Sequence, residues 1–191
     1  DCEEGASLYF GVNREISKEE FRAKIEDNTL LEVLNKVPVH KGDVFFIESG
    51  TIHAIGAGIM ICEIQQNSNT TYRVYDYGRR DKNGNLRELH VDKAIEVSKL
   101  VPSDTSAHTY APEQLEAAVK TRLATCKYFT TDKYVVNGAQ PFVIDDSSFR
   151  SFMIVDGEGT MESDGQTLPV QKGDSVFVPA GNGTVTVTGN C

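Results

Sequence analysis

Three polar side chains suited to chemistry follow one another at equal spacing: His53, Glu63 and Arg73. An imidazole binds a metal ion or carries a proton near neutral pH, a carboxylate transfers protons, and a guanidinium, which stays charged, stabilises negative charge. Each also has a plain structural role. A lone histidine in a strand-rich chain is usually a surface or core residue, Glu63 can simply be exposed, and Arg73 can form an ion pair with Asp76 or Glu63. The residue types alone leave both interpretations open.

The segment that ends at His53 recurs in the second half of the chain. Residues 41–53 align with residues 172–184, and the Lys-Gly-Asp start, the apolar run and the later glycine are present in both. At the last aligned position the first copy has His53 and the second has Thr184. A repeat that keeps its turn residues and differs at one polar side chain predicts a working site in the first copy and a structural copy in the second.

Short β-strands dominate the predicted secondary structure. Runs rich in Val, Ile, Phe, Tyr and Thr are separated by Gly, Asn and Asp, which is the pattern of strands joined by turns. Many such strands predict a mainly β protein, either a sandwich or a jelly roll. The predicted strands are residues 44–47, 59–64, 72–75, 128–136, 142–144, 150–155, 175–178 and 184–188.

Three short helices are predicted in the first half of the chain. Ser17 and Glu20 form a capping box, and Phe21 and Ile25 follow on one helical face. The other two helices are predicted at residues 29–34 and 92–99.

A segment without periodicity divides the chain. Residues 102–112 collect Ser, Thr, Asp and Pro, which is typical of a linker. We therefore predict a first domain over residues 1–101, a linker over residues 102–124, and a smaller, nearly all-strand domain over residues 125–191.

Composition and charge exclude several classes of function. The chain has 191 residues, 39% of them hydrophobic, and a formal net charge of -9. That charge argues against a nucleic-acid binder, which needs a basic surface, whereas a few local Lys or Arg residues suffice to hold a small anionic ligand. No apolar run approaches the roughly 20 residues of a membrane helix. We therefore expect no nucleic-acid partner and no membrane partner.

The cysteines and the chain ends bear on location and completeness. Four cysteines are scattered without a Cys-x-x-Cys pair, which argues against a disulfide framework or a structural zinc site and favours the reducing cytoplasm. The chain starts at Asp1 without an initiating Met or a signal peptide, and it stops at Cys191 just after a predicted strand. We expect that both ends are cut.

Both copies of the repeat resemble the second conserved motif of cupins, G-x5-P-x-G-x2-H. The first copy has the glycines and the histidine of the motif, with Glu48 in place of the proline. The second copy has the glycines and the proline and lacks the histidine. The matching residues are Gly42, Gly50 and His53 in the first copy and Gly173, Pro179 and Gly181 in the second.

A longer stretch is more specific. Residues 50–56 read Gly-Thr-Ile-His-Ala-Ile-Gly, residues 63–79 include Thr-Tyr-Arg-Val-Tyr-Asp-Tyr, and residues 87–90 read Arg-Glu-Leu-His. Together they resemble the short bacterial form of type I mannose-6-phosphate isomerase, a branch of the cupin superfamily. The resemblance is strong over residues 42–97 and weak in the second repeat.

The resemblance implies a fold and an activity. The fold is a mainly β, cupin-type double-stranded jelly roll, incomplete in this chain, followed by a smaller cupin-like β domain, with a few short helices. The activity is interconversion of mannose 6-phosphate and fructose 6-phosphate by zinc-assisted proton transfer through a cis-enediol. A sugar phosphate is the implied small-molecule partner.

The resemblance also assigns residues. Family members hold one zinc ion through a Gln or His, a His and a Glu from upstream strands, and the His of the Gly-Thr-Ile-His segment, which is His53 here. The catalytic arginine of the family matches Arg73, and we give Glu63 a proton-transfer or supporting role. Because the chain contains no His-x-His motif, we expect it to lack the N-terminal part of the catalytic cupin, with an incomplete zinc site. Open strand edges then favour a homo-oligomer.

Two alternatives compete with this interpretation. A non-catalytic cupin module that binds a sugar or a partner protein would account for the single expected zinc ligand. Another metal cupin, such as an oxygenase, needs several histidines in one pocket, and the four histidines are scattered. Outside the motif, His40, His90 and His108 are interpreted as solvated or structural, and residues 79–85 as a solvated hairpin turn.

Overall fold

A computed structural model describes residues 1–68, 70–104 and 110–191 of the chain. The structure is mainly β with a few short helices, as predicted. Neither α-helix among the described residues has the length or the apolar character needed to cross a membrane. In chain order the elements are β1 (Ser7–Val12), α1 (Lys18–Glu26), a 3-10 helix (Leu30–Val33), β2 (Leu34–Pro38), β3 (His53–Ile55), α2 (Val91–Val97), β4 (Glu113–Gln114), β5 (Ala118–Thr125), β6 (Thr130–Ile144), β7 (Arg150–Met153), β8 (Glu158–Ser163), β9 (Gln166–Gln171), β10 (Ser175–Val178) and β11 (Gly183–Asn190).

The chain divides into two compact units, Asp1–Ala107 and His108–Cys191. Strands β4 and β5 belong to the second unit, although β4 and all but the last residue of β5 lie in residues 102–124, where a linker was predicted. The signal for β5 is weak because its half-buried positions include Lys and Arg, so the strand does not read as an apolar run. Asn69 and residues 105–109, which include His108, lie outside the described residues.

The first unit contains a three-stranded antiparallel sheet in the order β2-β1-β3. Helix α1 begins where the capping box predicted, because the Ser17 hydroxyl accepts a hydrogen bond from the backbone N–H of Glu20 at 3.1 Å. The Glu20 carboxylate does not reach back to the cap and instead pairs with Arg14. The apolar face of α1 is fully buried, with Phe21 at 0% exposure and Ile25 at 5%.

One hydrophobic cluster joins α1, the 3-10 helix, α2 and the end of β1. Its centre includes Phe21 and Leu30, both with 0% of their surface exposed. Ile52, Val74 and Tyr75 pack against the rim of the same cluster. Ile52 directly precedes His53, and Val74 and Tyr75 directly follow Arg73. One hydrophobic core therefore anchors the chain next to both residues.

The second unit is a β structure of two sheets. The larger sheet has six strands in the order β4-β5-β6-β11-β8-β9, and the smaller one pairs β10 with β7. Along β6 the buried side chains lie at even-numbered positions, Val136, Gln140, Phe142 and Ile144. The three apolar ones pack with other residues of the unit into one core. The buried core residues are Ala118, Val136, Phe142, Ile144, Ile154, Met161, Val170, Val178, Val185 and Val187.

The strand predictions succeed best in the second unit. Strand β10 has the predicted bounds, and the predicted segments 128–136 and 142–144 fall in one long strand, β6, which begins two residues after the first segment does. The hairpin of β8 and β9 was missed, although Asp164-Gly165 is a turn signal; both residues have positive φ, 50° and 72°. Its strands were missed because Gly, Glu, Gln and Pro interrupt their apolar pattern.

Three predicted strands of the first unit are wrong. Among the described residues, segments 44–47, 59–64 and 72–75 form no regular strand, apart from a single bridge between Ile59 and Cys2. Phe45 nevertheless packs against a small core around Leu8 and Phe10, as does Ile59. The apolar pattern therefore reports packing at Phe45 and Ile59 but not at Met60, Ile61 and Ile64, which are exposed. A strand also requires a neighbouring strand to pair with.

The sequence repeat is also a repeat of backbone conformation. Gly42 and Gly173 have φ of 93° and 98°, and Gly50 and Gly181 have φ of 86° and 75°. Side chains with a Cβ atom rarely adopt these values. Glycine recurs at both places because both copies make the same left-handed turns.

Candidate functional site

His53 is the first residue of β3 and pairs with Phe10 of β1. Its Nδ1 atom lies 2.9 Å from the backbone carbonyl oxygen of the buried residue Thr51. Because a carbonyl only accepts hydrogen bonds, Nδ1 carries the proton, and the Nε2 lone pair remains available. The ring is exposed. A neutral imidazole with one nitrogen fixed by a carbonyl is the form in which histidine binds a metal ion.

The turn before His53 is held from two sides. The backbone N–H of Gly11 donates to the carbonyl of Ile52 at 2.7 Å, and the N–H of Lys99 donates to the carbonyl of Gly50 at 2.8 Å. A Cβ atom on Gly50 would collide with the carbonyl oxygen of Val97, at the end of α2. The turn is therefore fixed between β1 and the C-terminal end of α2, which sets the position of the imidazole.

Arg73 lies outside any strand, contrary to the predicted strand over residues 72–75. Its backbone N–H donates to Nδ1 of His90 at 3.0 Å, and the N–H of His90 donates to the Arg73 carbonyl at 2.7 Å. The guanidinium Nη1 donates to the carbonyl of Glu88 at 3.2 Å. Arg73 is thus positioned by the residues that lead into α2, and 24% of its side chain is exposed.

His90 has a more definite role than the sequence indicated. It was interpreted as solvated or structural, and the structure shows a structural role, since it is the N-cap of α2 and bonds to Arg73 twice. The available signal was the Arg-Glu-Leu-His segment, which supplies both Glu88 and His90 to this contact.

Asp76 supplies negative charge beside Arg73. Its Oδ1 lies 3.9 Å from Nε of Arg73 and 3.3 Å from Nη1 of Arg87, and only 13% of its side chain is exposed. Its Oδ2 is buried and has no hydrogen-bond partner among the described residues. The ion pair between Arg73 and Asp76 that the sequence left open is therefore present, and it does not rule out a further role for the guanidinium.

Glu63 lies in an exposed, irregular segment. Within the described residues it forms no hydrogen bond or ion pair, and no contact joins it to His53 or Arg73. The role of Glu63 stays a prediction. What the structure does provide is a shared support for the other two residues, through the packing of Ile52 and Val74 on one cluster.

The contacts described above limit which side chains could bind a metal ion. His53 fits as one ligand, because its Nε2 atom is available. In the part of the chain that the structure describes, no three His, Cys, Asp or Glu side chains come together as a metal site. The described residues therefore supply one suitable ligand and do not by themselves make a zinc site, which usually has three or four protein donors.

Comparison with known proteins finds similarity to mannose-6-phosphate isomerases. Residues 119–191 match the family model for the cupin domain of mannose-6-phosphate isomerase. The mannose-6-phosphate isomerase ManA of Bacillus subtilis (strain 168) is 42% identical over 189 residues, which is 99% of this chain and 59% of that protein. The chain is similar in sequence to bacterial mannose-6-phosphate isomerases. A mannose-6-phosphate isomerase of Streptococcus mutans is 35% identical over 93% of this chain and 55% of its own length.

Solved structures of mannose-6-phosphate isomerases have the same fold. The crystal structure of the enzyme from Bacillus subtilis matches with a TM-score of 0.90 and 32% identity, covering 100% of this chain and 60% of that one. The Salmonella typhimurium enzyme bound to fructose 6-phosphate and zinc matches with a TM-score of 0.60 and 17% identity, over 91% of this chain and 47% of that one, which bears on the fold alone. The chain spans about 60% of the length of the Bacillus subtilis relatives.

Proposed function

We propose that the protein to which this chain belongs interconverts mannose 6-phosphate and fructose 6-phosphate. The observation that carries the proposal is the match to ManA over 99% of the chain at 42% identity. The relatives reported above are isomerases, and they give no support to a non-catalytic sugar-binding or partner-binding module. The local geometry of His53 and Arg73 agrees with isomerase chemistry.

The reaction moves a proton between two neighbouring carbon atoms of the sugar through a cis-enediol. Negative charge develops on the oxygen atoms as the proton leaves. The guanidinium of Arg73, permanently charged and partly shielded from water, would stabilise that charge. Asp76 and the Glu88 carbonyl would hold the guanidinium in its orientation, since Asp76 forms an ion pair with its Nε and the Glu88 carbonyl accepts a hydrogen bond from its Nη1.

Zinc and Glu63 complete the proposal. Zinc, when bound, supplies a Lewis acid that polarises the sugar carbonyl, and His53 would be one of its ligands through Nε2. Glu63 would transfer a proton or support a group that does. We further propose residues 1–101 as part of the catalytic cupin and residues 125–191 as a second cupin-like domain that lacks the ligand histidine.

We also propose a cytoplasmic location and association of two copies. The four cysteines are scattered without a Cys-x-x-Cys pair, as expected for a reducing compartment. Strands β2 and β3 are the outer strands of the sheet in the first unit, and such edges can pair with a second chain. Light scattering at high protein concentration tests the association, and a monomeric mass would argue against it.

The activity is tested by a coupled assay for fructose 6-phosphate formation from mannose 6-phosphate, with and without zinc. Both this chain and a version extended to the full length of its relatives are assayed. We expect zinc-dependent turnover by the extended protein, and Arg73→Ala should lower kcat by about 100-fold or more. Arg80→Ala, in an exposed turn where Arg80 bonds to Gly84, is the matched control. Absence of turnover in both proteins would overturn the proposal.

A further inference from the structure

The second unit carries a group of charged and polar side chains on the inward face of β5 and β6. In the register of these strands Ala118 lies opposite Val136, and Lys120 lies opposite Tyr134. Ala118 and Val136 are buried in the core, at 3% and 5% exposure. Because side chains two residues apart share a face of a strand, Lys120 and Tyr134 continue this core face toward solvent.

A pocket of about 260 Å³ opens at this place. Its polar lining comes from Lys120, Tyr134, Gln140 and Arg150, and Phe142 is among its apolar residues. Phe142 is 8% exposed and lies edge-to-face against Tyr134, with the ring centroids 4.9 Å apart. The pocket therefore has a fixed aromatic floor and a rim with two positive charges.

The available polar groups of the pocket are donors. Arg150 forms no ion pair and Tyr134 forms no hydrogen bond through its hydroxyl within the described residues. Burial raises the pKa of Tyr134, so the phenol keeps its proton and can donate it in a hydrogen bond. Lys120 lies 3.3 Å from Glu113, whose side chain is 61% exposed, and one such contact leaves further ammonium hydrogens free.

The acceptors at the pocket are already engaged. The Gln140 carbonyl oxygen accepts from the backbone N–H of Ala117 at 3.2 Å, and its amide nitrogen donates to the carbonyl of Pro141 at 3.0 Å. Two residues further along β5, Arg122 lies opposite Asp132 of β6. These two side chains form an ion pair, with Nη2 of Arg122 3.4 Å from Oδ2 of Asp132, so their charges cancel. The donors that line the pocket are therefore Arg150, the Tyr134 hydroxyl and Lys120, of which Lys120 also pairs with the exposed Glu113.

We propose that this pocket binds a small oxyanion, the carboxylate or phosphate group of a small molecule, between Arg150, Lys120 and the Tyr134 hydroxyl. A guanidinium and an ammonium provide the charge, and the phenol adds a third, directional donor. Phe142 supports the apolar part of the ligand. The site lies wholly in the second unit and does not depend on the proposed isomerase activity of the first.

The test uses the whole chain and two probes, inorganic phosphate and acetate, titrated at low ionic strength while backbone amide NMR shifts are followed. We expect saturable shifts in β5, β6 and β7. Arg150→Gln should weaken binding about ten-fold or more, the usual effect of losing a charged hydrogen bond, and Tyr134→Phe should weaken it less. Binding of phosphate alone identifies a phosphate site, and binding of both probes identifies a general oxyanion site.

Two controls separate this site from other anion binding. Lys172→Gln removes the same charge from an exposed position of the second unit and should leave the titration unchanged. Arg73→Ala, in the first unit, should also leave the titration unchanged. The test therefore reads out the pocket of the second unit separately from the isomerase assay. Lys120→Gln serves if Arg150→Gln does not fold. No saturable shift in the wild-type chain, or equal weakening by Lys172→Gln, would overturn the proposal.

Discussion

The backbone N–H of Arg73 donates to the ring of His90, and the backbone N–H of His90 donates back to the carbonyl of Arg73. The two bonds tie an irregular segment to the N-cap of α2. Since Nδ1 of His90 accepts in this pair, the neutral ring carries its proton on Nε2. The position of Arg73 therefore depends on an acceptor that a residue far along the chain provides.

We expect His90→Ala to release Arg73. The lost hydrogen bond should reduce the free energy of unfolding by about 1 kcal/mol, and the displaced guanidinium should lower kcat of the extended isomerase by roughly 10- to 100-fold with a smaller change in KM. His90→Asn keeps an acceptor near the place of Nδ1 and should retain most of kcat. If both variants lose kcat equally, His90 does not position Arg73 through this bond.

The exchange of His53 and Thr184 tests the difference between the two copies of the repeat. Both side chains are exposed, so His53→Thr and Thr184→His should each change the free energy of unfolding by less than about 0.5 kcal/mol. In the extended protein His53→Thr should reduce zinc-dependent turnover by about 100-fold or more, because a metal ligand is lost. Thr184→His should leave turnover unchanged. Thermal melts and the coupled assay measure both effects, and full activity of His53→Thr would remove His53 from the metal site.

The paired turn glycines should be equally sensitive to substitution. No atom lies within 4 Å of a Cβ built on Gly42 or Gly173, so Gly→Ala introduces no collision and its cost comes from the left-handed backbone alone. We expect a loss of about 1–2 kcal/mol at each position, measured by urea unfolding. Lys41→Ala and Lys172→Ala, in the same turns, should cost much less. A neutral Gly42→Ala would show that the turn can adopt another conformation.

The turn after Arg80 should respond to acid. Hydrogen bonds from the backbone N–H of Asn85 and then of Asn83 lower the pKa of Asp81 below its ordinary value. A lowered pKa in the folded state stabilises the turn above the unfolded pKa, about 3.9, and this contribution is lost as the pH falls through the folded value. NMR titration should show the amides of Asn83 and Asn85 shifting only below about pH 4.

The substitution Asp81→Asn should abolish that acid transition. Asp164→Asn, in the turn between β8 and β9, is the control and should leave the signals of Asn83 and Asn85 unchanged. An acid transition that persists at these amides in Asp81→Asn would assign it to another group.

Local signals in the sequence predicted local structure well. The Ser17 cap predicted the start of α1, and the apolar run between turn residues predicted the bounds of β10, because both features depend on neighbours in the chain. The Lys-Gly-Asp repeat also predicted a shared conformation, which glycine at positive φ explains.

Features that depend on distant residues were not accessible in this way. The apolar segment at residues 44–47 has the composition of a strand and lacks a paired strand among the described residues. The clamp between Arg73 and His90 joins segments that no periodicity connects. For the same reason the donors of the pocket in the second unit were missed, since Lys120, Tyr134 and Arg150 come from three different strands.

The two Lys-Gly-Asp turns are built alike. In each, an aspartate carboxylate accepts from the backbone N–H three residues earlier at 2.8 Å, Asp43 from His40 and Asp174 from Gln171. The same turn residues fix the backbone of both copies, whereas the side chains at the last aligned positions, His53 and Thr184, are exposed. The last aligned position can therefore differ between the two copies while both keep the same turns. In this molecule the turn residues that the two copies share and the last position, at which they differ, can change independently of each other.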